Sequence, residues 1–300
     1  MSRSALLALL AVAPSGQGVA QTRPTPAVAA DQVLSIRSVV GGEQPEWKPD
    51  GSSIMFQSDL GGASGLWSVG AGGGFPTKLA PNLGVVPYQS NYMAQVQFFV
   101  SQGYVLLLPN IRGSSGFGRA FEDANDKDWG HGDLDDVKAG AEYLKQLPYV
   151  NPGRIGITGT SYGGCMTLSA ITFAPGFFQA AVAGAGYGDW IDFYTEQGYR
   201  HVKLLDYEYG PLSPATEALY KRSSPYYEVS KIETPVMLVH GTGRFPNSHA
   251  SKKFADELER YYKVFSYKTY PNENYYVTSP ANQRAMFLDM LEFFDAYLRD

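Results

Sequence analysis

A chain of 300 residues that is 44% hydrophobic and 14% aromatic can bury a sizeable core in one or two domains. The formal net charge of -5 comes without any long basic run, which argues against nucleic acid as a partner. A lone cysteine, Cys165, excludes an internal disulfide and a cysteine-built metal cluster, and its setting favours a small buried helix residue.

Residues 1–20 have the form of an export signal. Arg3 supplies the positive region, Ala5 to Ala13 the apolar core, and Gly18-Val19-Ala20 the small-residue cleavage site. This reading starts the mature chain near Gln21 and places it in a periplasm or outside the cell. The apolar core is too short to span a bilayer, and no run of about 18 apolar residues follows, so no membrane span is expected. Pro, Ala and Thr dominate residues 21–35, which read as a linker. Residues 36–84 read as β-rich: a turn and strand over Pro45 to Asp59, a second strand at Leu66-Trp67-Ser68-Val69, and a closing Gly72-Gly73-Gly74-Phe75-Pro76.

Beyond residue 85 strand and helix patterns alternate. Strands are expected at Tyr104–Pro109, Arg154–Thr158, Phe178–Ala183, Pro235–Gly241 and Val264–Thr269. Helices are expected at Leu134–Gln146, Ser161–Phe173, Ser248–Tyr262 and Gln283–Leu298. That order implies an α/β domain with a mostly parallel sheet, helices on both faces, and active-site loops at the carboxyl ends of the strands. Gly186 to Tyr227, rich in Tyr and carrying Asp189, Trp190, Asp192 and Arg200, interrupts the alternation and reads as a lid-like helical insertion.

Gly159-Thr160-Ser161-Tyr162-Gly163-Gly164 follows the apolar run Arg154–Thr158 and precedes the helical run Cys165–Ile171. This is the pattern of a nucleophile elbow, a sharp strand-to-helix turn that lifts a serine hydroxyl clear of the sheet. It names acyl transfer through Ser161. The backbone N–H of Tyr162, the next residue, is the expected oxyanion donor.

The segment Phe98–Gly118, with Leu107-Leu108-Pro109-Asn110-Ile111-Arg112-Gly113-Ser114-Ser115-Gly116-Phe117-Gly118 at its end, resembles the strand and loop before the nucleophile in the prolyl oligopeptidase family of serine peptidases. The likeness continues through Asp128-Trp129-Gly130, the elbow and Thr234–Gly241 to the closing helix, and covers nearly all of 92–300. It implies an α/β-hydrolase fold over residues 85–300, acting on peptide amide or ester bonds and needing no cofactor. In that family a β-propeller caps the hydrolase, and residues 36–84 resemble a single blade, a remnant too short to close a propeller.

The chain departs from the family at the partners of its serine. A triad in this fold runs Ser, Asp, His along the chain. The loop expected to carry the Asp is Thr242-Gly243-Arg244-Phe245-Pro246, with Arg244 and no carboxylate, and Tyr275 stands at the position expected for His. A phenol of ordinary pKa about 10 is a poor base at neutral pH. Of the four histidines, His249 is the best local substitute base. His240 reads as structural, His131 lies in a glycine-rich loop and His201 in the insertion. The second oxyanion donor is also missing, since Val86–Tyr92 replaces a His-Gly-Gly-Pro-like segment of the relatives; Tyr88 is a conceivable substitute. Three readings therefore stand: a serine peptidase, a catalytically impaired relative that binds peptides or a partner, and a truncated product.

Weaker patterns carry less. Asp126, Asp128, Asp133, Asp135 and Asp136 lack calcium-loop spacing, and charge at a helix amino terminus explains them. No metal is expected. Gly113–Gly118 lacks the lysine of a phosphate loop. Tyr187, Trp190, Phe193, Tyr194, Tyr226 and Tyr227 suit either an apolar pocket or core packing.

Overall fold

The computed structural model describes residues 7–12, 46–47, 53–58, 65–70, 77–81, 94–114, 117–196, 199–242 and 249–299. In chain order the elements are β1 (Leu7–Val12), β2 (Glu46–Trp47), β3 (Ser53–Ser58), β4 (Gly65–Gly70), β5 (Thr77–Pro81), α1 (Ala94–Ser101), β6 (Tyr104–Leu107), α2 (Arg119–Glu122), α3 (Gly132–Lys145), β7 (Ile155–Thr160), α4 (Tyr162–Phe173) and β8 (Ala180–Gly184). There follow α5 (Trp190–Glu196), α6 (Tyr199–Glu208), α7 (Glu217–Arg222), a 3-10 turn at Pro225–Lys231, β9 (Val236–Gly241), α8 (His249–Arg260), β10 (Phe265–Tyr270) and α9 (Pro280–Leu298). The chain divides into two compact units, Met1–Arg23 with Gln102–Asp300, and Pro24–Ser101.

In the larger unit six strands pair in the order β10-β9-β8-β7-β1-β6. β7 to β10 run parallel to one another, whereas β1 is antiparallel to both β6 and β7. The short apolar runs become central strands because both faces are covered. Ile155, Ile157, Ala181 and Ala183 share one buried cluster with Leu134, Val137 and Ala141 of α3 and with Phe254 and Leu258 of α8. Side chains alternate across a strand, so Gly156 looks the other way. There α9 passes so close that a Cβ on Gly156 would lie 2.8 Å from Leu298 and 3.0 Å from Phe294. Helices thus cover both faces, as the alternating pattern implies.

The helices form where period, caps and burial agree. α9 begins with Ser279 accepting a hydrogen bond from the backbone N–H of Asn282 and with Pro280 in its first turn, and it buries Phe287, Met290, Leu291, Phe294 and Leu298. α4 is buried from Gly163 to Thr172, as suits a helix enclosed by the sheet and its neighbours. The described part of the insertion is largely helical, as expected, through α5, α6, α7 and the 3-10 turn, and the other predicted elements lie within a few residues of their observed bounds. Among the described residues no helix is long and apolar enough to cross a membrane.

In the smaller unit β2 to β5 form a four-stranded antiparallel meander in sequential order, with a register shift between Leu66 and Trp67. α1 buries Phe98 and Phe99. Val86–Tyr92, the segment that replaces the relatives' oxyanion loop, lies outside the described residues, Tyr88 included.

Candidate active site

The elbow rests on a close crossing of β7 and α4. A Cβ on Gly159 would lie 2.3 Å from the carbonyl oxygen of Gly163, so only glycine fits there. Ser161 between them has φ 63 and ψ -123, a left-handed conformation that costs a non-glycine residue about 1–3 kcal/mol and persists only where its surroundings impose it. Its N–H donates to Gly184 (2.9 Å) and its carbonyl accepts from Cys165 (2.9 Å), which pins the turn at both ends. Tyr162 is the first residue of α4, so its N–H has no acceptor within the helix.

Tyr275 lies on the loop between β10 and α9 and reaches this serine. Its hydroxyl donates to the carbonyl of Ala185 (3.1 Å) and lies near enough to the Ser161 side chain for the serine hydroxyl to stabilise its ionised form. Burial drives the phenol pKa well above its ordinary value, more than Ser161 lowers it. At neutral pH Tyr275 is therefore a protonated neighbour of the nucleophile and cannot take its proton.

The loop carrying Tyr275 is anchored by Glu273. This buried carboxylate accepts from the N–H (2.8 Å) and hydroxyl (3.0 Å) of Thr278, from the Ser279 N–H (2.9 Å) and from the Asn282 amide (2.8 Å). Burial favours the protonated acid, yet these donors together prevail and hold its pKa down to about 2 from an ordinary 4.5. A depressed carboxylate stabilises the fold above its unfolded pKa and loses that contribution as pH falls through the folded one. Glu273→Gln should therefore flatten the loss of stability between pH 4.5 and about 2, read as denaturant midpoints across that range. An unchanged acid limb would show that Glu273 does not anchor the loop.

The histidines are held elsewhere. His240, buried at the end of β9, puts Nδ1 2.8 Å from the Gly241 carbonyl and stands edge-on to Tyr275 at 5.9 Å; burial lowers its pKa. His131 stacks on Phe173 at 4.9 Å and reaches the Arg222 carbonyl at 3.2 Å, and His201 meets Phe193 edge-on. His249, the candidate substitute base, opens α8 half-exposed with Nε2 3.7 Å from a Glu196 carboxylate oxygen of α5. Tyr275 is the phenol whose ionisation Ser161 influences, whereas His131 and His240 meet backbone carbonyls. Arg244 falls outside the described residues.

Sequence reasoning missed the support beneath Tyr162. The fully buried Asp133 of α3 accepts from the Tyr162 hydroxyl (2.5 Å), the Asn125 amide (3.3 Å) and the N–H groups of Gly130 (2.8 Å) and Leu134 (2.9 Å). Asn125 also donates to the Tyr162 hydroxyl at 3.1 Å. Helix-terminal charge is thus not a sufficient account of the acidic cluster, because its members have specific partners. Asp136 grips Arg112 with contacts of 2.6 and 2.8 Å, and Asp128 holds Arg222 (2.6 Å) and the Gly132 N–H (3.0 Å). The signal available in sequence was the tyrosine itself, since a phenol packed beside a buried helix requires a partner. Among the described residues no group of three or more His, Cys, Asp or Glu side chains could hold a metal ion.

The aromatic residues of the insertion form packing around the elbow. Tyr187 and Trp190 are buried with Trp129, Cys165, Tyr209 and Tyr220, and Phe193, Tyr194, Tyr162 and Tyr275 pack against them. Trp190 donates its indole N–H to the Ser223 carbonyl (2.9 Å), and the Tyr227 hydroxyl reaches Asp189 (3.2 Å). Core packing accounts for Tyr187 and Trp190; Tyr275 is an aromatic of this cluster whose hydroxyl Ser161 influences.

Comparison with known proteins bears on the family and the fold. The model of the prolyl oligopeptidase family matches residues 90–300. The uncharacterized peptidase YuxL of Bacillus subtilis is 32% identical over 220 residues, 70% of this chain and 33% of that protein. Dipeptidyl-peptidase 5 of Porphyromonas endodontalis is 28% identical over 204 residues, 66% of this chain and 30% of its own length. The chain spans about a third of these curated relatives. Among solved structures, a Mycobacterium tuberculosis puromycin-hydrolyzing peptidase superposes with a TM-score of 0.69 at 21% identity, covering 83% of this chain and 46% of that one. Pyrococcus horikoshii acylaminoacyl peptidase gives 0.65 at 19% identity, covering 83% and 48%. These two likenesses speak for the α/β-hydrolase fold, while the match over residues 90–300 takes in the elbow, the Tyr275 loop and the closing helix together: the chain belongs to the prolyl oligopeptidase family.

Proposed function

We propose that this chain is the hydrolase portion of a serine peptidase that cleaves peptide amide or ester bonds through an acyl intermediate on Ser161. The observation that carries this reading is Ser161 at φ 63 on the turn between β7 and α4, the strained placement of a nucleophile elbow. Ser161 Oγ attacks the substrate carbonyl carbon, and the Tyr162 N–H receives the developing oxyanion. The Ser161 proton passes by way of solvent to the leaving amine or alcohol as the C–N or C–O bond breaks; water then adds its oxygen to the acyl carbon, releases the acid and returns a proton to Ser161 Oγ. Peptide substrates are supported by the relatives described as a peptidase and a dipeptidyl-peptidase. The four-stranded meander over residues 46–81 supports reading residues 36–84 as one propeller blade. Arg3, the run Ala5–Ala13 and Gly18-Val19-Ala20 support delivery to a periplasm or the cell exterior.

The protonated Tyr275 limits the rate, because the phenol beside Ser161 is held neutral by burial and cannot accept the proton outright. Turnover should be slow and easiest to see on an activated aryl ester. Ser161→Ala should abolish that hydrolysis while leaving the circular dichroism spectrum unchanged. Equal rates for wild type and Ser161→Ala would place the chemistry elsewhere.

A further inference from the structure

The run that reads as the apolar core of an export signal is paired on both sides. Leu7–Val12 lies between β6 and β7, with Leu9 opposite Leu107 on one side and Ile157 on the other, and Ala11 opposite Val105 and Ile155. Leu9, Leu10 and Ala11 are each 0% exposed. Leu9 and Ala11 belong to the same buried cluster as Leu134, Val137 and Ala141, and Leu9 lies over Gly140 of α3, 3.3 Å from where a Cβ there would stand. Leu10 points to the opposite face and is equally enclosed.

Without this strand the facing edges of β6 and β7 would stand about 9.5 Å apart, two strand spacings, too far to bond each other. Their facing N–H and C=O groups would then lie unpaired one strand in from the β6 edge of the sheet, beneath its covering helices, where each such group is costly. The strand that leads into Ser161 forms one wall of that gap, since β7 ends at Thr160.

We propose that Leu7–Val12 is a working strand of the folded hydrolase, so that the segment is retained after any role in targeting and cutting after Ala20 disassembles the sheet beside the nucleophile. Targeting and folding then compete for one stretch of chain. The segment serves export only while unfolded, and the sheet closes only on a chain that keeps it.

Two measurements on the full chain test this. Intact mass combined with hydrogen exchange should find the folded fraction still carrying residues 7–12, with their amides exchanging within about tenfold of those in Ile155–Thr160. Leu9→Ala should lower the thermal midpoint by about 5 °C or more, as deletion of a buried leucine in a chain of this size does. Folded protein beginning near Gln21 with protected 155–160 amides would overturn the proposal. So would rapid exchange over 7–12 together with an unchanged midpoint for Leu9→Ala.

Discussion

Tyr275→His combined with Arg244→Asp is expected to raise hydrolysis of an activated ester by ~10²-fold or more, the span a positioned general base supplies. Each change alone should alter it by no more than about threefold, because an imidazole without an orienting carboxylate has no fixed tautomer, and a carboxylate without its imidazole orients nothing. The position is suited to a base, since Tyr275 lies beside the Ser161 side chain and is fixed by Ala185. The protonation state is what fails, as burial holds the phenol neutral. The gain should therefore appear in kcat with little change in KM, and its pH profile should rise through the imidazole range near about 6.5. Strict additivity of the two changes would show that they do not act as one unit, and a large gain from Tyr275→His alone would point to a carboxylate supplied from another place.

Asp133→Ala should be among the most destabilising single changes in the larger unit. It leaves the Tyr162 hydroxyl, the Asn125 amide and two backbone N–H groups without their shared acceptor in a buried place. A single unsatisfied buried group costs about 1–3 kcal/mol, and a loss of about 3 kcal/mol is the expected total in urea unfolding, after partial rescue of Asn125 by Tyr162. Asp133→Asn should lose less, because one oxygen still accepts from Gly130 and Leu134. The pH dependence has the opposite sign to that of Glu273. Burial raises the Asp133 pKa despite its four donors, so its stabilisation is greatest below the ordinary 3.8 and declines as pH rises through the folded value. Asp133→Asn should flatten that decline. A wild-type midpoint in Asp133→Ala would remove this residue from the support of the elbow.

The legibility of the chain followed the range of its interactions. α3 could be read because Leu134, Val137, Ala141 and Leu144 repeat at helical spacing, and α9 because Ser279, Pro280 and a buried stripe coincide within one segment. The elbow could be read because the crossing of β7 and α4 forces glycine at Gly159, a local steric demand that leaves its mark in six consecutive residues. β1 could not. Leu7–Val12 has no alternation to separate a strand from a leader core, and its partners lie about a hundred residues and more away, at Tyr104–Leu107 and Ile155–Gly159. The bond between Asp133 and Tyr162 spans 29 positions and was hidden by an adequate local explanation, acidic residues in the first turn of a helix. Tyr275 was visible only through family resemblance, since nothing local marks one tyrosine among 21 as the neighbour of a serine.

The central claim is that Ser161 is the nucleophile. Incubating the full chain with a fluorophosphonate and mapping the adduct by peptide mass spectrometry tests it most directly, because the reagent phosphonylates an accessible nucleophilic serine even where turnover is slow. The account predicts slow, stoichiometric labelling on Ser161 that disappears in Ser161→Ala and quickens in the Tyr275→His, Arg244→Asp double variant. An adduct on a different residue, or labelling of Ser161→Ala at the wild-type rate, would contradict it.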